Sequence, residues 1–336
     1  MADVVFERKT VETGRHRTVW IEAGPQDGPL MIFIHGWPEL GLIWRAQIGH
    51  FAASGWRCVA PDMRGYGGSS VPASIAAYTV RELATDMAEL HDALGGAPAV
   101  WIGHDWGCPV VWAMASHHAG RCRGVVNLCV PYIARGFALP NLVPLVDRAL
   151  YPADRYPVGQ WDYWLYYREH FGRAARQFEA DPERTYASLI RRAPKRRDGE
   201  PAFTANTRAR GGWLSDGCPP ATTIDDGQLL STSDVLAFIA AFQSTGFSGA
   251  DSWYMNDEAN MVFAAEADDF GRLTLPVLFL HATRDTVCDT TASRLAEPMR
   301  EDCTNLTERT IEAGHALMLE SPDAVNNAIA DWLGSI

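Results

Sequence analysis

Hydrophobic and polar positions along the chain fall into two alternating patterns. Short β-branched, apolar runs end at Gly, Pro or Asp: MIFIHG (31–36), WRCVAPD (56–62), AVWIGHD (99–105) and GVVNLCVP (124–131). They lack the inside–outside alternation of a half-exposed strand, as expected of strands covered on both faces. Between them lie helix-length stretches, notably TVRELATDMAELHDALG (79–95) and CPVVWAMASHH (108–118). Strands alternating with helices predict a parallel sheet with right-handed crossovers.

Near residue 133 the alternation stops. Residues 133–260 carry aromatic-rich helical stretches and a Gly/Pro/Arg-rich segment, RRAPKRRDGEPAFTANTRARGGWLSDGCPP (191–220), with no strand of the earlier kind. The pattern resumes at LPVLFLHA (275–282), continues through LTERTIEAG (306–314) and closes on the helix AVNNAIADWLG. The simplest organisation is one α/β domain in two pieces, 1–132 and 261–336, with a mainly helical insertion over 133–260. No internal repeat or low-complexity tract interrupts it.

Composition narrows the function classes. The 336 residues suit either two units or one large α/β domain with an insertion. With 47% hydrophobic and 21% charged residues, a largely disordered chain is excluded. The net charge of −12 argues against nucleic acid or an anionic membrane as partner. No apolar run reaches the ~18 residues of a membrane span. The start, MADVVFERKTVETGRHR, puts charges where an export signal needs an apolar stretch. Seven cysteines without a CxxC pair read as reduced thiols, and a cytoplasmic location is expected. The basic residues Arg191, Arg192, Lys195, Arg196 and Arg197 read as a solvated loop. The adjacent pair His117-His118 lacks the i, i+4 spacing of helical metal ligands and is expected at the surface.

Three places could carry chemistry. Gly103-His104-Asp105-Trp106-Gly107 follows a strand directly and precedes a helix directly. Small residues two before and two after the central position are what a tight strand–turn–helix elbow requires. Enzymes with a G-x-S-x-G elbow place their nucleophile at its centre, and here the centre is Asp105. A carboxylate, with an ordinary pKa of about 3.9, is ionised without a base and can displace a leaving group at saturated carbon. Asp is also a favoured helix N-cap, and position alone leaves both readings open. The second place is His35-Gly36-Trp37-Pro38, at the carboxyl end of the strand MIFI, where open parallel sheets bind ligands. The backbone N–H groups of Trp37 and Trp106 could together form an oxyanion hole. The blander reading is a Gly/Pro-shaped turn with His35 packed in it. The third is His315, one of ten histidines, which stands in the last strand-to-helix loop where the order nucleophile, acid, histidine requires it. The acid expected after the penultimate strand is Asp285, with Asp289 as second choice; the strand GVVNLCVP offers Asn127 and no acid. The expected triad is Asp105–Asp285–His315.

Those residues and their surroundings closely resemble the soluble-type epoxide hydrolases of α/β-hydrolase fold. The resemblance rests on HGWPE (35–39), APDMRGYGGS (60–69), GHDWG (103–107), RDTVCD (284–289) and AGHALMLESP (313–322). It implies a mostly parallel central sheet flanked by helices, with a helical lid inserted after the sixth strand. Tyr163 in YWLYYREH and Tyr254 in GFSGADSWYMN look like the family's ring-opening tyrosines, with Tyr166 and Tyr167 close enough to stand in for Tyr163. Both could equally be lid-core aromatics. The implied reaction takes an epoxide to a vicinal diol. Asp105 forms a hydroxyalkyl ester while the tyrosines protonate the oxygen, and water activated by His315 hydrolyses the ester. His35, Pro38 and Trp164 are expected at the substrate wall. Neither a metal nor an organic cofactor is called for. The expected substrate is a small lipophilic epoxide, consistent with 12 Trp and 13 Phe, and the protein is expected as a monomer or homodimer.

The nearest rival is a haloalkane dehalogenase, which shares the fold and the Asp nucleophile but cradles a halide with indole N–H groups and needs no acid. Trp161, Trp164 and Trp253 keep it open; the paired tyrosines weigh against it. A fluoroacetate dehalogenase would need an Arg following Asp105. A serine esterase is disfavoured by Asp at the elbow. A non-catalytic relative would typically have lost a triad member, and this chain keeps all three.

Overall fold

Eight strands form one sheet in a computed structural model that describes residues 4–193, 199–214 and 229–336. The strands are β1 (Glu7–Glu12), β2 (Arg17–Ala23), β3 (Leu30–Ile34), β4 (Arg57–Asp62), β5 (Ala99–His104), β6 (Cys122–Leu128), β7 (Val277–Ala282) and β8 (Leu306–Ile311). Their order across the sheet is β1-β2-β4-β3-β5-β6-β7-β8. From β4 to β8 every pairing is parallel. All residues of β3, β5 and β7 are buried, which explains why their sequences read as unbroken apolar runs.

The sequence pattern misses the antiparallel hairpin β1–β2, with β2 also antiparallel to β4. The reason is physical. The edge strand ERKTVE is charge-rich and largely exposed, as an edge guarded against further pairing tends to be. Those two strands make β6 the sixth, so the helical insertion leaves the sheet where the family pattern implies.

The core helices are α1 (Arg45–Ala53), α2 (Val80–Ala93) and α3 (Gly107–His117). The helix α2 is N-capped by Thr79, whose side chain accepts from the Glu82 N–H at 3.3 Å. Its Val80, Leu83, Met87 and Leu90 then fall on one buried face. Between β6 and β7 come α4 (Leu139–Leu142), α5 (Asp162–Glu179, kinked at His170), α6 (Pro182–Leu189), α7 (Thr232–Thr245), α8 (Ser248–Asp251) and α9 (Asp257–Ala264). No strand occurs there among the described residues. Residue 260 falls inside α9, which already packs on the core: Asn260 Oδ1 accepts from the Val80 N–H at 2.8 Å. The C-terminal part adds α10 (Glu297–Asp302), α11 (Leu317–Glu320) and α12 (Pro322–Leu333).

Among the described residues no helix is long and apolar enough to cross a membrane, and six cysteines are free thiols. Lys195, Arg196 and Arg197 lie outside the described residues. His117 departs from the surface expectation: it is half-buried and stacks on Phe263 with ring centroids 3.9 Å apart.

Candidate active site

The elbow is built by close approach. Asp105 sits between β5 and α3 with φ +48°, a left-handed conformation that non-glycine residues rarely adopt. A Cβ on Gly103 would lie 2.5 Å from Asn127 Oδ1 and 2.9 Å from the Gly107 carbonyl. A Cβ on Gly107 would collide with the Ile34 carbonyl, and one on Gly36 with Asp105 itself. These glycines let the loop after β3 and the start of α3 close around one carboxylate.

Three strand ends meet at Asp105. From the β3 loop, the Trp37 N–H donates to Asp105 Oδ1 at 2.7 Å. From the loop after β8, His315 Nε2 lies 3.3 Å from Asp105 Oδ2. From the loop after β7, Asp285 Oδ2 lies 2.7 Å from His315 Nδ1, while its Oδ1 accepts from the Val287 and Cys288 N–H groups at 2.8 and 3.0 Å. Asp289 faces elsewhere, bonded to Thr291 and Ala292.

The charges lock together. Burial pushes the Asp105 carboxyl up, but the hydrogen bond and charge of His315, the charge of His104 and the Trp37 amide together hold it below the usual carboxylate range. Asp285 is likewise held down by His315 against its burial. Burial opposes protonation of His315, yet Asp285 and Asp105 raise it well above the ordinary histidine value. These directions favour an imidazolium held between two carboxylates.

Tyr163 from α5 and Tyr254 from the turn after α8 stand over this line, both nearly buried, with ring centroids 5.5 Å apart and planes at 81°. Burial raises both phenols well above their ordinary value, so they stay protonated at neutral pH. The hydroxyl of Tyr166 instead lies 2.9 Å from both Gln177 Oε1 and the Gly211 carbonyl and donates its one proton between them. Asp105, His315, Tyr163, Tyr254, Trp37 and Pro38 all line one cavity of about 200 Å³. Leu189, Ile190, Phe203 and Val287 make its apolar side.

Two expected wall residues lie behind that surface. His35 is fully buried and spends both ring nitrogens on backbone groups: Nδ1 faces the Gly36 carbonyl at 2.9 Å, and Nε2 accepts from the Met63 N–H at 2.9 Å. It shapes the loop and does not reach the cavity. Trp164 is fully buried, stacked on Trp106 at 5.5 Å and edge-on to Tyr254 at 5.4 Å. It supports the tyrosine from behind. The Trp37–Pro38 bond is cis.

Sequence reasoning gave no role to Glu39 and His104, though both stand inside the motifs it used. Glu39 accepts from the Gly36 N–H at 2.8 Å and pairs with His104 Nδ1 at 2.9 Å, while His104 Nε2 meets the His315 carbonyl at 2.7 Å. Burial lowers His104, but Glu39 overcomes it and lifts the imidazole to about 10. This brace links the loops after β3 and β8 through the elbow residue His104. Its signal was an acid at position 39 in an otherwise apolar loop. His104, Cys129 and His315 also bring three metal-type donors within 4.8 Å, but the imidazole nitrogens are already engaged by Glu39, Asp105, Asp285 and a carbonyl.

The chain as a whole is similar to several known proteins. The alpha/beta hydrolase fold family matches residues 29–322. Epoxide hydrolase A of Mycobacterium tuberculosis (strain ATCC 25618 / H37Rv) is 33% identical over 331 residues, covering 97% of this chain and 96% of that one. Bifunctional epoxide hydrolase 2 of Sus scrofa is 30% identical over 318 residues, 94% of this chain and 53% of that longer protein. Epoxide Hydrolase A from Mycobacterium thermoresistibile superposes with a TM-score of 0.79 at 31% identity, covering 98% of each chain.

Proposed function

The chain belongs to the alpha/beta hydrolase fold family and, within it, to the epoxide hydrolases, and from that premise we propose that it opens epoxides to vicinal diols through a covalent ester on Asp105. The insertion over 133–260 serves as the lid. A lipophilic epoxide enters the cavity between lid and sheet, its oxygen toward Tyr163 and Tyr254. Asp105 Oδ2 attacks a ring carbon; that C–O bond breaks, and the departing alkoxide takes a phenolic proton. The leaving group is far more basic than a phenolate, so a tyrosine of high pKa is still acidic enough to supply the proton and is fully protonated beforehand.

Ester formation then changes the base. Asp105 loses its negative charge, so His315 loses one of the two carboxylates that hold its proton. Its Nε2 proton passes to the phenolate left by ring opening, directly or through solvent, and the neutral imidazole can then accept a proton from water, with Asp285 fixing its Nδ1 side. Water adds to the ester carbonyl, and the Trp37 amide, already on Asp105 Oδ1, stabilises the oxyanion together with the Trp106 amide. Collapse releases the diol and restores the carboxylate.

The observation that supports this reading most directly is that the His315-bonded carboxylate shares one cavity with two protonated tyrosines. A dehalogenase has no use for such acids, and the stacked pair Trp106 and Trp164 is not on the cavity wall. The test is the intact mass of the His315→Gln variant after exposure to styrene oxide and, separately, to 1-bromobutane. A gain of the whole epoxide, absent when Asp105→Ala is added, is expected. A gain of butyl alone makes the protein a dehalogenase, and no adduct with either overturns the covalent mechanism.

A further inference from the structure

The lid meets the oxyanion loop through one buried pair that the reaction above does not use. The Trp37 indole Nε1–H donates to Asp251 Oδ1 at 3.0 Å. Asp251 is the last residue of α8, fully buried, and three residues before Tyr254. On its other side Trp37 presents its backbone N–H to Asp105 Oδ1 at 2.7 Å, and its ring lies edge-on to Tyr254 at 5.8 Å. A single residue thus joins the nucleophile's amide donor to the lid segment carrying the tyrosine.

A carboxyl at this place is costly. Its second oxygen, Oδ2, has no hydrogen-bond partner among the described residues. Burial drives the group well above the ordinary carboxyl range, and the charge of Glu179 pushes the same way against the indole bond. An apolar residue would fill the space without that penalty. What the carboxyl offers that an apolar residue cannot is an acceptor for the indole.

We propose that Asp251 is a positioning residue: through the Trp37 indole it holds the Trp37 backbone N–H on Asp105, in register with Tyr254. The kinetic consequence rests on the covalent reaction proposed above; the hydrogen bond itself does not. The carboxyl oxygen acts as an acceptor and not as a charge, so a carboxamide should replace it and an apolar isostere should not.

The experiment compares wild type with Asp251→Leu, Asp251→Asn and Trp37→Phe, each checked for folding by thermal melting. Selective ¹⁵N-tryptophan labelling reads the Trp37 indole and backbone N–H resonances without reference to turnover. Single-turnover traces with styrene oxide read ring opening and ester hydrolysis separately. Asp251→Leu is expected to shift both Trp37 resonances and to slow ester hydrolysis by about 10- to 100-fold, below the full loss of an oxyanion donor. Asp251→Asn is expected to restore both. Trp37→Phe combined with Asp251→Leu should be no slower than the slower single variant, because both remove one interaction. An unshifted Trp37 backbone resonance with unchanged hydrolysis in Asp251→Leu, or Asp251→Asn failing as Leu does, reduces Asp251 to packing. If wild type forms neither adduct nor diol, the proposed reaction falls, and the resonances still decide the positioning role.

Discussion

Asp105 carries one charge, and most of the site's chemistry follows from what surrounds it. Its replacement by Ala leaves no neighbouring group able to form the ester, so diol formation should fall on the order of 10⁴-fold or more, checked by steady-state turnover. The same variant tests the proposed coupling to His315. Removing one of two flanking carboxylates should lower the His315 pKa, visible as an earlier titration of its ring resonances by NMR; an unchanged midpoint would mean Asp285 alone sets it. Hydrolysis of the ester should accordingly speed up as pH rises through the lowered His315 value. Asp285→Asn should leave ring opening nearly intact and slow hydrolysis, while Asp289→Asn should do neither, since Asp289 is bonded to its own turn. Tyr254→Phe should slow ring opening much more than hydrolysis in stopped-flow traces, and equal slowing of both steps would make it a packing residue.

At the scale of elements, the elbow is the most constrained segment. Strand β5 must turn into α3 with the Asp105 backbone left-handed, and there is no room beside it. Gly103→Ala should therefore destabilise by about 1–3 kcal/mol, because Asn127 and the Gly107 carbonyl cannot both withdraw from the added methyl. Urea unfolding measures it, and a neutral result would show that β6 relaxes more easily than its buried position indicates. Helix α5 shows the complementary case. Its sequence YWLYY supplies three tyrosines; Tyr163 lines the cavity, whereas Tyr166, at i+3, spends its hydroxyl on Gln177 and Gly211, so the neighbours and not the helical spacing decide between them.

For the whole molecule, one polar cluster ties the N-terminal hairpin, the core and the lid. Arg64 binds Asp86 of α2 at 2.6 and 2.7 Å, Arg15 from the β1–β2 turn reaches the same carboxylate at 3.3 Å, and the lid's Trp253 indole donates to the Arg64 carbonyl at 3.2 Å. His16 is buried inside this cluster. Burial first, then the charges of Arg64, Arg15 and Arg17, lower its pKa to about 3, and these outweigh Asp86 at 3.7 Å. The unfolded chain binds that proton near pH 6.5 and the folded one does not, so stability is full above about 6.5 and is lost as pH falls toward about 3. His16→Gln should flatten the pH dependence of the melting temperature in that window. An unchanged slope would show that His16 stays protonated beside Asp86.

The sequence by itself determined the parallel sheet, the helical insertion and which acid and histidine come together with Asp105, namely Asp285 and His315. Each of these is written in local signals: apolar runs buried on both faces, glycines flanking a turn, a histidine in the last loop. It left open whatever depends on which groups come together from distant segments. Charge along ERKTVE hid a strand that forms only because β2 offers an edge to pair with. The roles of His35, Trp164, Glu39 and Asp251 depend on whether a side chain faces the cavity or the packing behind it. Position 35 and position 37 belong to one motif, yet His35 turns into the loop while Trp37 reaches both Asp105 and the lid. Motif spacing brings residues to the end of a strand. Only the packing of the insertion on the sheet decides which of them face the cavity, because that choice is made by burial and hydrogen-bond partners more than 200 residues away.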